Sequence, residues 1–161
     1  MKTGLRIIAL AMGLGCLIQA QAQTSDSTFP KGELSTTKNH TGNIWLNELV
    51  VGDSTFDPSI AIATYDAGAK LDWHIHPAGQ VLLITEGVGY YQEKGKAVRI
   101  VRKGDVIKCP PGVEHWHAAA PNSTFAHIAV TPTSKGKTIW LWAGQRSRLS
   151  KCEAINERLT V

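Results

Sequence analysis

The sequence predicts an all-β domain, a barrel or sandwich of short strands, on three observations. From Gly42 onward, apolar runs recur at roughly 8–12-residue spacing. Turn-forming clusters such as Glu93-Lys94-Gly95-Lys96 and Lys103-Gly104-Asp105 separate them. The 161 residues are 43% hydrophobic and 19% charged, which suits one globular domain with a sizeable core.

The runs place strands at 44–51, 60–65, 71–76, 81–86, 89–92, 97–102, 105–109, 115–119, 125–131 and 138–142. Near the end, Leu149, Cys152, Ile155 and Leu159 are spaced by three or four residues, the period of a short amphipathic helix over 146–159. Polar residues with scattered Pro and Gly over 23–41 predict a loose N-terminal arm, so the domain proper is 42–161. No internal repeat or linker interrupts it.

The first 22 residues have the organisation of a secretory signal. Lys2 and Arg6 form a short basic region, an apolar run follows from Ile7 to Ile18, and Ala20-Gln21-Ala22 offers a small-x-small cleavage site. The run is too short for a membrane span. The expected location is the periplasm or the exterior, with Gln23 first in the mature chain. Lipidation at Cys16 is the lesser alternative, because that cysteine lies inside the apolar run. Without Lys2 and Arg6 the chain keeps 15 basic against 13 acidic residues, a net charge of +2, and gives no reason to expect nucleic acid as a partner. Cys109 and Cys152 would share an oxidising compartment where pairing is chemically open, while a buried free thiol at Cys109 is the simpler expectation.

Histidine placement carries the chemistry. His40 lies in the arm, but His74, His76, His115, His117 and His127 all fall in expected strands. Residues two apart in a strand share a face, so His74 projects with His76, and His115 with His117. His127 shares its face with Phe125 and Ala129. A lone strand histidine is usually a core residue satisfied by a backbone or hydroxyl partner. Five converging in one apolar interior leave many nitrogens to satisfy at once, and neutral imidazoles suit a divalent Mn, Fe, Ni, Zn or Cu ion. The tryptophans Trp45, Trp73, Trp116, Trp140 and Trp142 are expected as packing residues, and Tyr90 and Tyr91 straddle two faces so that one can turn to the interior.

Two segments carry a resemblance. Gly68, five residues, His74-Ile75-His76, three residues, Gln80, six residues and Gly87 resemble the first motif of the cupin family. Gly104, five residues, Pro110-Pro111-Gly112, two residues and His115 resemble its second. The resemblance implies a jelly-roll β-barrel (a double-stranded β-helix) holding one divalent metal on His74, His76, Gln80 and His115. Gln80 stands where many cupins have glutamate, and Ala119 where the second motif often ends in asparagine. With an amide instead of a carboxylate the ion keeps its full charge, which favours holding an anion or polarising a carbonyl or hydroxyl.

A subgroup is similar over a longer stretch. His74-Ile75-His76-Pro77-Ala78-Gly79-Gln80, His115-Trp116-His117 and the later His127 resemble the small manganese-dependent cupin hydroxynitrile lyases. That resemblance implies manganese ahead of iron, nickel or zinc, and a small-molecule substrate. It implies His127 and His117 as unligated catalytic histidines, Ala61 and Ala63 as pocket-lining residues, and a homo-oligomer. Two other classes use the same barrel: metal-dependent dioxygenases, and binding modules without turnover.

Overall fold

In a computed structural model of the chain, residues 27–141 are described. The expected signal segment, Trp142, the expected helix at 146–159 and Cys152 all lie outside them. The described residues form antiparallel strands and no helix, and none of them forms a helix able to cross a membrane. In chain order the strands are β1 (Glu33–Leu34), β2 (His40–Thr41), β3 (Ile44–Val50), β4 (Pro58–Tyr65), β5 (Lys70–Leu71) and β6 (His74–Ile75). There follow β7 (Gln80–Glu93), β8 (Arg99–Arg102), β9 (Val106–Cys109), β10 (His115–Ala119), β11 (Phe125–Pro132) and β12 (Ile139–Trp140).

The hydrogen-bonded order is β1-β3-β4-β11-β7-β10-β5-β2, with β8 and β9 also on β7, and β6 between β10 and β12. Strand β7 makes this a curled jelly roll. Its first half pairs with β9 and β11, its second half with β8 and β10. The sequence pattern suggests two strands here, broken at Gly87. The chain instead stays extended and bends, because Gly87 adopts φ 68° within the strand. One residue of β7, Thr85, is bulged opposite the step between Ala126 and His127, which adds local twist beside the site.

Two other expectations need correction. The strand expected at 71–76 is interrupted: Asp72 N–H donates to the Asn39 carbonyl and Leu141 N–H to the Trp73 carbonyl, so two short strands, β5 and β6, result. The arm expected to be loose supplies β1 and β2. Both close the outer edges of the sheet, where backbone hydrogen bonds suffice and a polar composition is no obstacle.

The core is layered about the barrel wall. Ile44, Tyr65, Leu82, Ile84, Tyr91, Val101, Ile107 and Phe125 are buried together inside it. Strand β10 is buried on both faces: His115, His117 and Ala119 turn inward, while Trp116 and Ala118 pack outside against Trp73. Trp116 also donates its indole N–H to Gln92 Oε1 and lies beneath Lys70 Nζ, so the site-bearing strand is held from behind. Cys109 belongs to the inner core, where burial pushes its thiol up to about 12, and acts as a neutral packing group.

The bend at Gly87 is testable. A Cβ there would stand 1.8 Å from the Thr124 carbonyl oxygen, whereas a Cβ at Gly95, also left-handed at φ 78°, would meet nothing within 4 Å. Gly95→Ala is expected to cost about 1–2 kcal/mol of backbone strain, and Gly87→Ala about 3–5 kcal/mol once overpacking is added. Denaturant unfolding of the two variants measures the difference; equal losses would contradict the account.

Candidate metal and substrate site

Three strands bring the histidines together. Antiparallel pairing sets His115 of β10 opposite His74 of β6, with ring centroids 4.3 Å apart. His76 follows β6 directly, 5.0 Å from His74 and 5.5 Å from His115. His117 lies one inward position along β10, and its ring meets His127 of β11 edge-on at 4.8 Å. All five are buried, none more than 5% exposed. Gln80, the first residue of β7, borders the same cavity.

Hydrogen bonds fix how these rings are aimed. His74 donates Nδ1–H to the Asp72 carbonyl (2.8 Å) and His115 donates Nδ1–H to the Val113 carbonyl (3.0 Å). In both, Nε2 is therefore the nitrogen with the free lone pair. His76 Nδ1 shares a hydrogen bond with the Thr138 hydroxyl (3.2 Å), and His117 Nδ1 with the Tyr65 hydroxyl (2.9 Å). Gln80 donates from Nε2 to the Thr131 hydroxyl (2.9 Å), which directs its carbonyl oxygen elsewhere.

The atoms left over are informative. His76 Nε2, His115 Nε2, His117 Nε2, His127 Nδ1 and Gln80 Oε1 are buried without a hydrogen-bond partner. An unsatisfied buried polar atom costs about 1–3 kcal/mol, so several in one place point to a shared partner. Imidazole nitrogens backed by carbonyls, together with an amide oxygen, form a donor set that fits a divalent ion. Among the histidine, cysteine and acidic side chains of the described residues, His74, His115 and His117 bring one ligand atom each within 4.8 Å of one another. The expected division has His76 a ligand and His117 apart; by ligand atoms His117 joins His74 and His115, whereas by ring centroids His76 is nearer to both (5.0 and 5.5 Å against 5.3 and 6.2 Å).

Burial sets the electrostatics. It holds His74 and His117 well below the ordinary imidazole range, with the neighbouring His115 and His127 respectively adding to it. It lowers His76 to about 4 and His127 to about 3, and lowers His115 as well, where the Val113 carbonyl opposes it. At neutral pH the cluster is uncharged, the form that ligates metal and accepts protons.

His74, His76, His117 and His127 line a cavity of about 340 Å³, and His115 lies behind His74 outside that lining. Ala61 and Ala63 of β4 line it, with Ile44, Leu46, Leu71 and Ala129, while Ser35, Thr37, Asn39 and His40 bring polar groups from the N-terminal segment. Trp140, expected only as a packing residue, also lines it; it is 38% exposed, with its ring 4.9 Å from His74. Tyr91 is buried with its ring 5.6 Å from His115, and Tyr90 packs with Trp73 and Trp116 outside. Sequence reasoning missed Tyr65, Thr131 and Thr138. Tyr65 was within reach, since alternation along β4 puts it on the face of Ala61 and Ala63.

Comparison with known proteins agrees with this fold. A cupin domain model matches residues 61–131. The chain is 38% identical over 104 residues to an (R)-mandelonitrile lyase of Granulicella tundricola, covering 60% of this chain and 79% of that protein. The crystal structure of a cupin-like protein from Thermotoga maritima superposes with a TM-score of 0.69 at 40% identity, covering 72% of this chain and 89% of the other. A cupin 2 conserved barrel domain protein from Rhodopseudomonas palustris shares the fold, with a TM-score of 0.62 at 18% identity, covering 78% and 84% of the two chains.

Neutral burial of the histidines makes the metal-free protein acid-sensitive. Free imidazole titrates near 6.5, above the folded values of about 4 and 3 for His76 and His127. Below about pH 6.5 the unfolded chain therefore binds more protons than the folded one, and stability falls as pH falls through those folded values. Chelator-treated protein is expected to keep a constant unfolding midpoint above about pH 7 and to lose stability steeply toward pH 4. A flat midpoint across that range would contradict neutral burial.

Proposed function

The chain belongs to the cupin family, and from that premise we propose that it is a metal-dependent lyase that cleaves or forms a small cyanohydrin. The observation that carries the reading is the set of partnerless, buried imidazole and amide atoms, all but that of His115 on residues lining a small, mainly apolar cavity. The name of the relative from Granulicella tundricola supports the choice of chemistry. At about 340 Å³ the cavity lies near the lower end of ligand pockets, which suits a substrate with one ring or a short alkyl group.

His74, His76, Gln80 and His115 would hold the ion, manganese first among the candidates. When bound, it supplies a Lewis-acidic positive charge, undiminished by any ligand carboxylate, where a nitrile or hydroxyl oxygen would sit. The remaining work falls to the chain. Ala61, Ala63 and Ala129 leave room for the apolar part of the substrate and exclude water from it. His127 or His117, both neutral, takes the proton of the cyanohydrin hydroxyl. The oxygen's electron pair becomes the carbonyl π bond, and the carbon–carbon bond breaks with its pair leaving on cyanide. The imidazolium so formed is disfavoured by burial and returns the proton to cyanide, completing hydrogen cyanide and the carbonyl product.

Two outcomes are expected of the purified mature protein. It should bind one divalent ion per chain from a mixture of Mn, Fe, Ni and Zn, and His115→Ala should lose most of it, since removing a ligand opens the site; elemental analysis reads both. It should release cyanide from mandelonitrile without consuming oxygen, and His127→Ala should keep its metal while losing about 10²–10⁴-fold in turnover if His127 is the base. Oxygen uptake with no cyanide release, or tight ligand binding without turnover, would overturn the lyase reading in favour of an oxygenase or a binding module.

A further inference from the structure

The two candidate bases differ in what stands behind them. His117 Nδ1 lies 2.9 Å from the Tyr65 hydroxyl, and both residues are buried, Tyr65 completely. Among the described residues that histidine nitrogen is the phenol's hydrogen-bond partner. A phenol carries one hydrogen and needs an acceptor for it, and leaving a buried donor unused costs about 1–3 kcal/mol. If His117 donated Nδ1–H to the phenol oxygen, the phenol hydrogen would have no acceptor. If the phenol donates, its hydrogen and the Nδ1 lone pair are both satisfied, and the ring must carry its own hydrogen on Nε2. His117 Nε2 is buried with no partner in the protein, and the residue borders the cavity.

We propose that Tyr65 fixes His117 in the Nε2–H form, making it a hydrogen-bond donor to the substrate and neither its base nor a ligand of the ion. His74 and His115 are backed in the opposite sense, by carbonyls that can only accept, so their Nε2 atoms keep a lone pair. The backing group therefore sorts three neighbouring histidines into acceptors of a cation and a donor to an oxygen or nitrile. His117 is excluded from ligation despite its closeness to His74 and His115. The base is then His127, which has no such partner on Nδ1. Tyr65 acts through His117, as a positioning residue.

The part played at the substrate rests on the lyase reading, whereas the tautomer does not. The deciding experiment is a long-range proton–nitrogen correlation spectrum of ¹⁵N-histidine-labelled protein, loaded with diamagnetic zinc. The expected result is a protonated Nε2 and an unprotonated Nδ1 at His117, with the reverse pattern at His115. An Nδ1–H form at His117, or zinc-bound Nε2 there, overturns the proposal whatever the activity. In Tyr65→Phe, His117 should lose its single tautomer while the zinc content holds; an unchanged His117 spectrum would also overturn the assignment. For turnover, His117→Ala should lose about 10²–10³-fold with metal retained, the usual effect of removing one donor aimed at developing charge. Absence of cyanide release from any variant, with the His117 tautomer as expected, would remove the lyase reading and leave the donor assignment standing.

Discussion

Five imidazoles buried in an apolar barrel are the constraint from which the rest follows. Each brings two nitrogens into a low-dielectric interior, where an unmatched polar atom is costly and a charged ring more so. The fold answers on the far side of four rings. The Asp72 and Val113 carbonyls and the hydroxyls of Thr138 and Tyr65 each take one nitrogen. It does not answer on the near side, where Nε2 of His76, His115 and His117 lacks a protein partner. A core built only for stability would have filled those positions with aliphatic side chains. That imbalance is what makes the cluster a candidate binding site.

Holding the rings in that arrangement requires wall strands that cannot slide. Strand β7 spans both halves of the barrel, and it can do so because Gly87 bends the chain without ending the strand. Strand β10 carries two of the rings and is packed on both sides, by the inner core and by the Trp73–Trp116 pair. A slip of one residue in β10 would carry His115 and His117 to the opposite face, and one in β7 would do the same to Gln80. The mainly apolar lining then adds a second effect, because low-dielectric walls strengthen electrostatic interactions between the cluster and what enters the cavity.

Much of this was legible in the sequence. Strand alternation paired His74 with His76 and His115 with His117 on shared faces, the resemblance to cupins implied the barrel, and the two together predicted that these rings and His127 converge. What stayed hidden was long-range. The polar segment at 23–41 resembled a loose arm because composition reports side chains, whereas β1 and β2 are held by backbone pairing with strands distant in sequence. The interruption between β5 and β6 depends on Asn39 and Leu141, neither of them a sequence neighbour. Gly87 reads as a turn in any local window and becomes a bend only when both flanking halves have partners. Tyr65, Thr131 and Thr138 acquire roles solely through hydrogen bonds to residues about fifty or sixty positions away. Their side chains belong to the expected strands, but nothing local tells which ring or amide each will meet.

The central claim is that His74, His76 and His115, through Nε2, and Gln80, through Oε1, hold one divalent ion. The most direct measurement is a crystal structure of the manganese-loaded protein with anomalous data collected at the manganese edge. The account requires a single strong anomalous peak in bonding contact with those four atoms, and no bond from it to His117. A peak bonded to His74, His115 and His117 with Gln80 turned away, or no peak in the cavity at all, would contradict it.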